Sequence, residues 1–160
     1  MAKDEGMQEA IRKLRERRDQ AYFSAGKEKI EEVHRKGILT ARERVEALLD
    51  PGTFCEQYPF AEPLGRDFGL DRKRLPGDGA VVGWGNIEGQ RAYVTANDSL
   101  IMGGSGSSSH IRKISLTIDQ AVKNGSPLIQ LNDSSGGRIQ EGTDKTAYAL
   151  SVFYSNTLAS

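Results

Sequence analysis

The chain has 160 residues, a length that suits one globular domain with a buried core. Its 22 Lys and Arg residues balance 22 Asp and Glu residues, which excludes the strongly basic surface expected of a nucleic-acid-binding or anionic-membrane-binding protein. No apolar run approaches the roughly 20 residues of a membrane span, and acidic residues in the charged N-terminus argue against a targeting signal, so a cytoplasmic location is predicted.

The first 50 residues are predicted to form a helical N-terminal arm. A helix over residues 7–22 carries a narrow apolar stripe, which is typical of a helix that packs as an arm. The stripe consists of Met7, Ile11 and Leu14. A second charged helix ends before Gly37, a left-handed C-cap. Thr40 and Glu43 then form the capping box of a short third helix.

Beyond Pro51 the apolar pattern changes to that of strands. Residues 53–58 predict a strand in which Cys55, the single cysteine, is a small apolar residue. Neither a disulfide nor a metal site is predicted at Cys55, because no ligand pattern surrounds it. Residues 80–87 and 91–96 predict two strands of a β-hairpin around a glycine-containing turn.

The rest of the chain alternates helices and a strand. A helix is predicted after residue 109, with an apolar face composed of Ile111, Ile114, Ile118, Ala121 and Val122. Residues 127–131 predict a short buried strand. A last helix starts at about Ile139, and its apolar residues are Ala147, Leu150, Phe153, Tyr154 and Leu158. This order predicts an α/β layered fold over residues 51–160.

Two segments rich in glycine and serine, residues 103–109 and 135–138, each lie between a predicted strand and a predicted helix. The first N–H groups of a helix lack partners within the helix and lie at the positive end of its dipole. Glycine allows a ligand to approach such a backbone closely. The segments therefore indicate a site for a phosphate, or for an oxyanion that forms during carbonyl chemistry.

An equal alternative gives these turns no ligand, with Asp133 or Ser134 acting only as the N-cap of the following helix. A dinucleotide-binding turn is a poorer match, because the first segment lacks the last glycine of that fingerprint and follows a hairpin. The sequence contains no P-loop motif, and no nucleophile elbow accompanies His110.

Four segments in this order resemble one known family: HRKGILTARERVEALLDPGTF, DFGLDRKRLPGDGAVVGWG, GGSGSSSHIRKI and NDSSGGRIQEG. They are similar to the carboxyltransferase (beta) subunit of biotin-dependent acyl-CoA carboxylases of the propionyl-CoA carboxylase type, over residues 29–160. The resemblance implies a crotonase-like fold of ββα repeats, present here in part. Related biotin-dependent decarboxylases share this module.

The resemblance also implies a reaction. Such enzymes move a carboxyl group between carboxybiotin and the α-carbon of a short-chain acyl-CoA, so an enolate oxygen forms on the thioester and needs fixed donors. By resemblance, the backbone N–H groups of Gly136 and Gly137 are this oxyanion hole. The acyl-CoA contacts that the resemblance implies around them are Gly103, Gly104, Ser105 and Ser135.

Basic side chains are candidates for the CoA phosphates on charge grounds. They are Arg112 and Lys113 at a helix start, and the basic run at residues 72–74. Solvated surface charge is the alternative for each of them. Arg138 holds a phosphate or braces the turn through Glu141, and we favour the structural role.

The resemblance implies biotin on a separate carrier protein or on a biotinylated alpha subunit. It also implies a dimer that assembles into a hexamer, with no metal and no nucleic acid. The family's biotin-side oxyanion hole lies beyond the equivalent of Ser160, so the chain is expected to be inactive alone and to expose apolar residues of its last helix. The alternatives are a non-catalytic assembly or regulatory chain of the same fold and a nucleotide-binding domain.

Overall fold

The structure is a computed structural model of the chain and describes residues 2–72, 74–142 and 144–159. The helices are α1 Ala2–Tyr22, α2 Lys27–Arg35, α3 Ala41–Leu48, α4 Ser108–Lys123 and α5 Asp144–Ala159. The strands are β1 Cys55–Gln57, β2 Ala80–Ile87, β3 Gln90–Asn97 and β4 Leu128–Leu131. Short 3-10 turns occupy Leu70–Arg72, Met102–Gly104 and Ile139–Glu141.

The four strands form one sheet in the order β1-β2-β3-β4. β2 pairs antiparallel with both β1 and β3, whereas β3 and β4 are parallel and α4 connects them. Parallel neighbours end at the same edge of a sheet, so the segments that follow β3 and β4 meet there. The predicted α/β fold is confirmed, with the hairpin β2-β3 and helix α4 as its ββα unit.

The sheet is covered on both faces. α3 packs on one face, where its apolar residues form a core with β2 and β3: Ala41, Val45, Leu49, Val81, Val94 and Ala96. α4 contacts the other face, where Asn97 of β3 forms a hydrogen bond with His110 at 2.8 Å. α3 thus contributes to the core of the sheet, and the division of the chain at residue 50 stays a prediction.

Several element ends lie where local sequence signals predict them. Thr40 and Glu43 form both hydrogen bonds of the predicted capping box at the start of α3. Gly37 follows α2 with φ +72° and donates its N–H to a carbonyl of the last turn. The hairpin turn is held by the Asp50 carboxylate, which accepts the N–H groups of Glu88 and Gly89.

Three predicted features differ from the structure. β1 is shorter than residues 53–58, because Thr53 is bonded to the carbonyl of Asp50 in the turn after α3. The last helix begins at Asp144, since Gly142 has φ +55° and ψ −133°, which interrupts the helix expected from Ile139. In the apolar stripe of α1, Met7 and Leu14 are exposed, whereas a stripe that packs was expected to be buried.

The outward face of α5 is apolar. Its exposed large hydrophobic residues are Leu150, Phe153, Tyr154 and Leu158. This agrees with the expectation that the last helix exposes apolar residues. Within the described part of the chain, none of the helices has both the length and the apolar character that a membrane crossing requires.

Candidate functional site

The two glycine-rich segments lie side by side beyond the ends of β3 and β4. Ser135 donates its N–H to the carbonyl of Gly103 at 2.9 Å, and Gly106 donates its N–H to the carbonyl of Gly136 at 2.8 Å. The N–H of Arg138 in turn reaches the carbonyl of Gly106 at 2.8 Å. The turns that the sequence suggested separately are therefore one hydrogen-bonded unit at the sheet edge where ligands of α/β folds bind.

This pairing directs the amide of Gly137. Gly106 and Gly137 form a parallel bridge, in which Gly106 bonds to the residues on either side of Gly137. The N–H of Gly137 consequently points away from Gly106. Among the described residues, no acceptor lies within hydrogen-bond distance of it. The N–H of Gly136 donates to the side-chain oxygen of Ser134 at 3.1 Å.

A cavity of about 550 Å³ lies beside these amides. Gly136 and Gly137 line it together with polar and apolar side chains, among them Asn97, His110, Ile111 and Phe153. A volume of this size and mixed lining is typical of a small-molecule site. A second cavity, of about 300 Å³, lies between the N-terminal helices and the start of β2, and neither glycine segment lines it at residues 103–109 or 135–138.

Glycine is required at Gly104 for a close backbone approach. Its φ is +63°, a region that L side chains rarely adopt, and a Cβ there would overlap the carbonyl oxygen of Asp133. The β3–α4 connection therefore touches the backbone that follows β4. Gly136 also needs a left-handed conformation, with φ +103°, but no atom lies near the position of its Cβ.

A buried ion pair lies beneath the paired turns. The guanidinium of Arg138 is fully buried and donates to the carboxylate of Asp78 at 2.7 Å. It also donates to the carbonyl oxygen of Ser105 at 3.0 Å and contacts the hydroxyl of Ser105 at 3.3 Å. The hydroxyl of Ser107 donates to the second oxygen of Asp78. Burial raises the pKa of Asp78, whereas Arg138 and Ser107 act in the opposite direction.

The start of α4 holds the turn that contains Asp78. Ser107 is the N-cap of α4 and accepts the N–H of His110 at 3.0 Å. The Nδ1 of His110 lies 3.1 Å from the carbonyl oxygen of Asp78, and its Nε2 lies 2.8 Å from Nδ2 of Asn97. Burial lowers the pKa of His110 to about 4, so the ring is neutral near pH 7. A neutral ring that donates from Nδ1 and accepts at Nε2 fits both contacts.

Lys113 lies on the same buried side of α4. Its ammonium donates to the carbonyl oxygens of Gly77, at 3.0 Å, and Ala80. Burial lowers the pKa of Lys113 to about 8. Arg112, the neighbouring residue, is exposed to solvent. The two basic residues that the sequence analysis treated together therefore have opposite environments.

The remaining predicted residues fall into two groups. Gly103 and Ser135 are exposed at the paired turns, whereas Gly104 and Ser105 are buried beneath them. The N-cap interpretation of Asp133 and Ser134 is wrong, since these side chains bond to other residues instead. Asp133 accepts the hydroxyl of Ser99, and Ser134 donates to the carbonyl of Gly104.

Three further predictions need to be corrected or restricted. The main ionic partner of Arg138 is Asp78, while Glu141 lies farther away at 3.7 Å. The predicted apolar face of α4 is wrong at Val122, which is exposed, because the buried side also carries polar residues. In the basic run, Lys73 lies outside the described residues, and Arg74 pairs with Glu62 at 3.1 Å.

Sequence reasoning missed Asp78, Asn97 and the structural use of His110. The signal for Asp78 was its position between Gly77 and Gly79, which marks a tight turn just before a strand. Asp78 has φ +45°, and both flanking glycines also have positive φ. Only the folded chain shows that this turn lies against Arg138.

Comparison with known proteins identifies the family. The family model described as "Carboxyl transferase domain" matches residues 32–160. The chain belongs to the carboxyl transferase domain family. A relative from Cereibacter sphaeroides named propionyl-CoA carboxylase beta chain is 44% identical over 154 residues, which are 96% of this chain and 30% of that protein. The mitochondrial beta chain from Homo sapiens is 43% identical over 150 residues, which are 92% and 28%.

Solved structures share this fold. The transcarboxylase 12S structure with methylmalonyl-coenzyme A and methylmalonic acid bound has a TM-score of 0.89 and 35% identity, covering 94% of this chain and 29% of that one. A Pseudomonas malonate decarboxylase hetero-tetramer has a TM-score of 0.67 and 28% identity, covering 76% and 46%. These comparisons confirm the family resemblance and the crotonase-like fold that were expected from the sequence. The chain spans less than a third of the length of the carboxylase relatives.

Proposed function

We propose that this chain is the acyl-CoA-binding part of a carboxyltransferase that moves a carboxyl group between carboxybiotin and the α-carbon of a short-chain acyl-CoA, such as propionyl-CoA. The observation that carries the proposal is the N–H of Gly137, which has no acceptor among the described residues and borders a cavity of about 550 Å³. The names of the carboxylase relatives support the choice of substrate class.

The chemistry requires a donor at that point. When the α-proton of the acyl-CoA leaves, the electron pair of the C–H bond delocalises onto the thioester oxygen. The N–H of Gly137 stabilises this charge. The N–H of Gly136 becomes a second donor to the thioester oxygen when it gives up its hydrogen bond to the Ser134 hydroxyl. One such donor is worth about 3 kcal/mol in the transition state. When bound, carboxybiotin would supply the carboxyl group that the α-carbon takes up, and the biotin nitrogen that releases this group would take up the α-proton, so the exchange balances without a side-chain base.

The acyl-CoA site proposed here is smaller than the one expected from the sequence. It contains Gly103 and Ser135, the exposed residues of the paired turns, with Arg112 as the exposed cation for a CoA phosphate. Gly104 and Ser105 are buried beneath these turns and support the site without touching the ligand. Lys113 is left out, because its ammonium is buried and bonded to two carbonyl oxygens. Arg138 is left out as a phosphate ligand, because its guanidinium is fully buried against Asp78.

The partners belong to the same proposal. We expect a biotinylated carrier protein or alpha subunit and a homo-oligomer. The transcarboxylase 12S neighbour is described as a hexamer assembly, which supports the second of these. No described residue is assigned to biotin, so the 160-residue chain is expected to bind acyl-CoA without transferring a carboxyl group.

Ligand binding tests the proposal. Wild-type protein is titrated with propionyl-CoA, free CoA, ATP and NAD, and both the melting temperature and the heat of binding are measured. We expect stabilisation by propionyl-CoA and none by NAD or ATP. No shift with millimolar propionyl-CoA contradicts the proposal, and saturable binding of NAD or ATP favours a nucleotide-binding domain.

A pair of variants at Gly137 identifies the donor. Gly137 lies outside the positive-φ region, so both alanine and proline are compatible with its φ sign. Gly137→Ala keeps the amide hydrogen and Gly137→Pro removes it. The proposal expects Gly137→Pro to bind propionyl-CoA more weakly than Gly137→Ala does, while free CoA binds both equally. Equal propionyl-CoA affinities contradict the assignment of this donor.

A further inference from the structure

One buried side chain connects the two glycine-rich turns. Arg138 directly follows Gly137, and its guanidinium donates to the carbonyl oxygen of Ser105 at 3.0 Å in the other turn. The same guanidinium donates to the carboxylate of Asp78 at 2.7 Å. We propose that Arg138, held in place by Asp78, is a positioning residue that fixes the direction of the Gly137 N–H. This inference rests on the proposed function, in which that N–H is an oxyanion donor.

The geometry of the guanidinium supports a positioning role. Its three nitrogens reach three acceptors: a carboxylate oxygen of Asp78, the carbonyl oxygen of Ser105 and the hydroxyl of Ser105. A guanidinium is planar and its donors form a rigid fork, so these contacts fix its plane as well as its distance. The backbone N–H of Arg138 adds a bond to the carbonyl of Gly106. The segment after Gly137 is thereby held to the first turn at three points and to Asp78 at a fourth.

Asp78 is itself held on several sides. Ser107 donates to its carboxylate, and His110 lies 3.1 Å from its carbonyl oxygen. Lys113 donates to the carbonyl oxygens of the residues before and two after Asp78. Asp78 has φ +45°, a conformation that persists only where its surroundings determine it. The anchor for Arg138 is therefore a turn bonded to α4, and not a side chain on a flexible loop.

A buried ion pair is weak support for stability as such, because desolvation offsets the attraction between the charges. Its geometric effect is more specific here. Arg138 and Asp78 are both fully buried, and Arg138 is the residue that joins Gly137 to the 3-10 turn Ile139–Glu141. A change in this pair is expected to alter the pairing of the two turns before it alters the core between α3 and the sheet.

Amide exchange in the ligand-free protein tests the inference. The amides of Gly106 and Arg138 report the pairing of the turns, because each donates across it. The amide of Val94, a core residue of β3, reports global stability. Arg138→Lys keeps the positive charge but loses the planar set of guanidinium donors. We therefore expect the amides of Gly106 and of residue 138 to exchange about tenfold faster, relative to the amide of Val94, than they do in the wild type. The amide resonance of Gly137 should also shift.

A charge-balanced variant guards against a trivial folding defect. Asp78→Asn combined with Arg138→Gln removes both charges of the pair together and leaves the Glu141 carboxylate with its bond from the N–H of Ser108, so it is expected to cost less stability than either single change. It should show the same selective increase in exchange. If this variant does not fold, Ser105→Ala, which removes only one acceptor of the fork, replaces it. The inference is overturned if, in both Arg138→Lys and the second variant, the exchange rates of the amides at positions 106 and 138 change by the same factor as the rate at Val94.

Ligand binding separates this inference from the proposed function. Propionyl-CoA labelled with ¹³C at its thioester carbonyl is bound to wild type and to Arg138→Lys, with free CoA as the control. We expect about tenfold weaker propionyl-CoA binding in the variant, a smaller shift of the carbonyl resonance, and unchanged binding of CoA. Unchanged propionyl-CoA binding and carbonyl shift overturn the inference. Failure of the wild type to bind propionyl-CoA contradicts the proposed function instead, and the exchange experiment then decides the positioning role.

Discussion

Gly106 and Gly137 face each other across an isolated parallel backbone bridge between the segments that follow the paired strands β3 and β4. A bridge at this place uses the N–H and carbonyl of Gly106 and leaves the N–H of Gly137 directed to the opposite side. The donor that we propose for the thioester oxygen is thus a consequence of sheet topology, and it requires no catalytic side chain.

The close contact at Gly104 gives a stability prediction. Gly104→Ala places a methyl group against the carbonyl of Asp133, so we expect it to lower the free energy of unfolding by more than about 3 kcal/mol. Gly89→Ala is the control, since Gly89 also has a positive φ, +78°, but has open space around its Cβ. It should cost about 1 kcal/mol from backbone conformation alone. Urea unfolding measures both, and equal losses would contradict the close approach.

The neighbours Arg112 and Lys113 give a second prediction. Lys113→Met leaves the carbonyl oxygens of Gly77 and Ala80 without their donor in a buried place, so we expect a loss of about 2 kcal/mol in unfolding free energy. Arg112→Met removes an exposed cation and should change stability by less than about 0.5 kcal/mol.

Acyl-CoA affinity should respond in the reverse order. Arg112→Met is expected to weaken binding and to reduce its salt dependence, because the exposed guanidinium is the proposed phosphate contact. Chemical unfolding and titration calorimetry at two salt concentrations provide the measurements. A salt dependence that is lost with Lys113→Met and kept with Arg112→Met would reverse the assignment.

Local patterns in the sequence predicted the elements of this fold well. The capping box at Thr40 and the glycine-containing hairpin turn at Gly89 involve contacts between residues close in sequence, and both were found as predicted. The start of β1 was predicted two residues too early, at Thr53. Thr53 bonds to Asp50 in the turn after α3 and to Asn86 of β2, and the contact with Asn86 forms only in the folded sheet. The break before α5 depends on the backbone conformation of Gly142, which the apolar pattern does not record.

The site was less predictable, for a physical reason. Both glycine-rich turns were recognised from composition, but their mutual pairing joins segments that are distant in sequence and depends on the parallel arrangement of β3 and β4. The same holds for Asp78 and Arg138, whose contact no periodicity indicates. Lys113 was misjudged because two adjacent cations near a helix start, Arg112 and Lys113, predict surface residues. In the structure the ammonium of Lys113 lies against backbone carbonyl oxygens instead.

The apolar outward face of α5 predicts self-association. Leu150 and Tyr154 are one helical turn apart and more than 60% exposed, at 63% and 66%. We expect the purified chain to associate as its concentration rises, and Leu150→Glu with Tyr154→Glu to remain monomeric with little loss of stability. Sedimentation velocity measures the change. Met7→Glu on α1 is the control for an exposed apolar residue elsewhere, and an equal effect of that variant would contradict the assignment to α5.

The buried His110 predicts how stability depends on pH. Burial lowers the pKa of its ring to about 4, and the charges of Lys113 and Arg138 also disfavour the protonated form. Between the unfolded value of 6.5 and about 4, the unfolded chain binds a proton on this ring that the folded chain does not bind, so the free energy of unfolding falls as the pH falls. The loss attributable to His110 is on the order of 3 kcal/mol.

A comparison of variants isolates this contribution. The raised pKa of Asp78 acts in the opposite direction, because the folded state then binds the extra proton, so the wild-type slope alone is not diagnostic. Urea unfolding of wild type and His110→Gln is therefore measured from pH 7 to pH 4.5. We expect the wild type to lose more stability than His110→Gln over this range. His34→Gln, which removes the other histidine of the sequence from an exposed site, is measured in parallel as the comparison variant. A slope that disappears with His34→Gln and survives in His110→Gln would show that the buried ring is not the group that titrates.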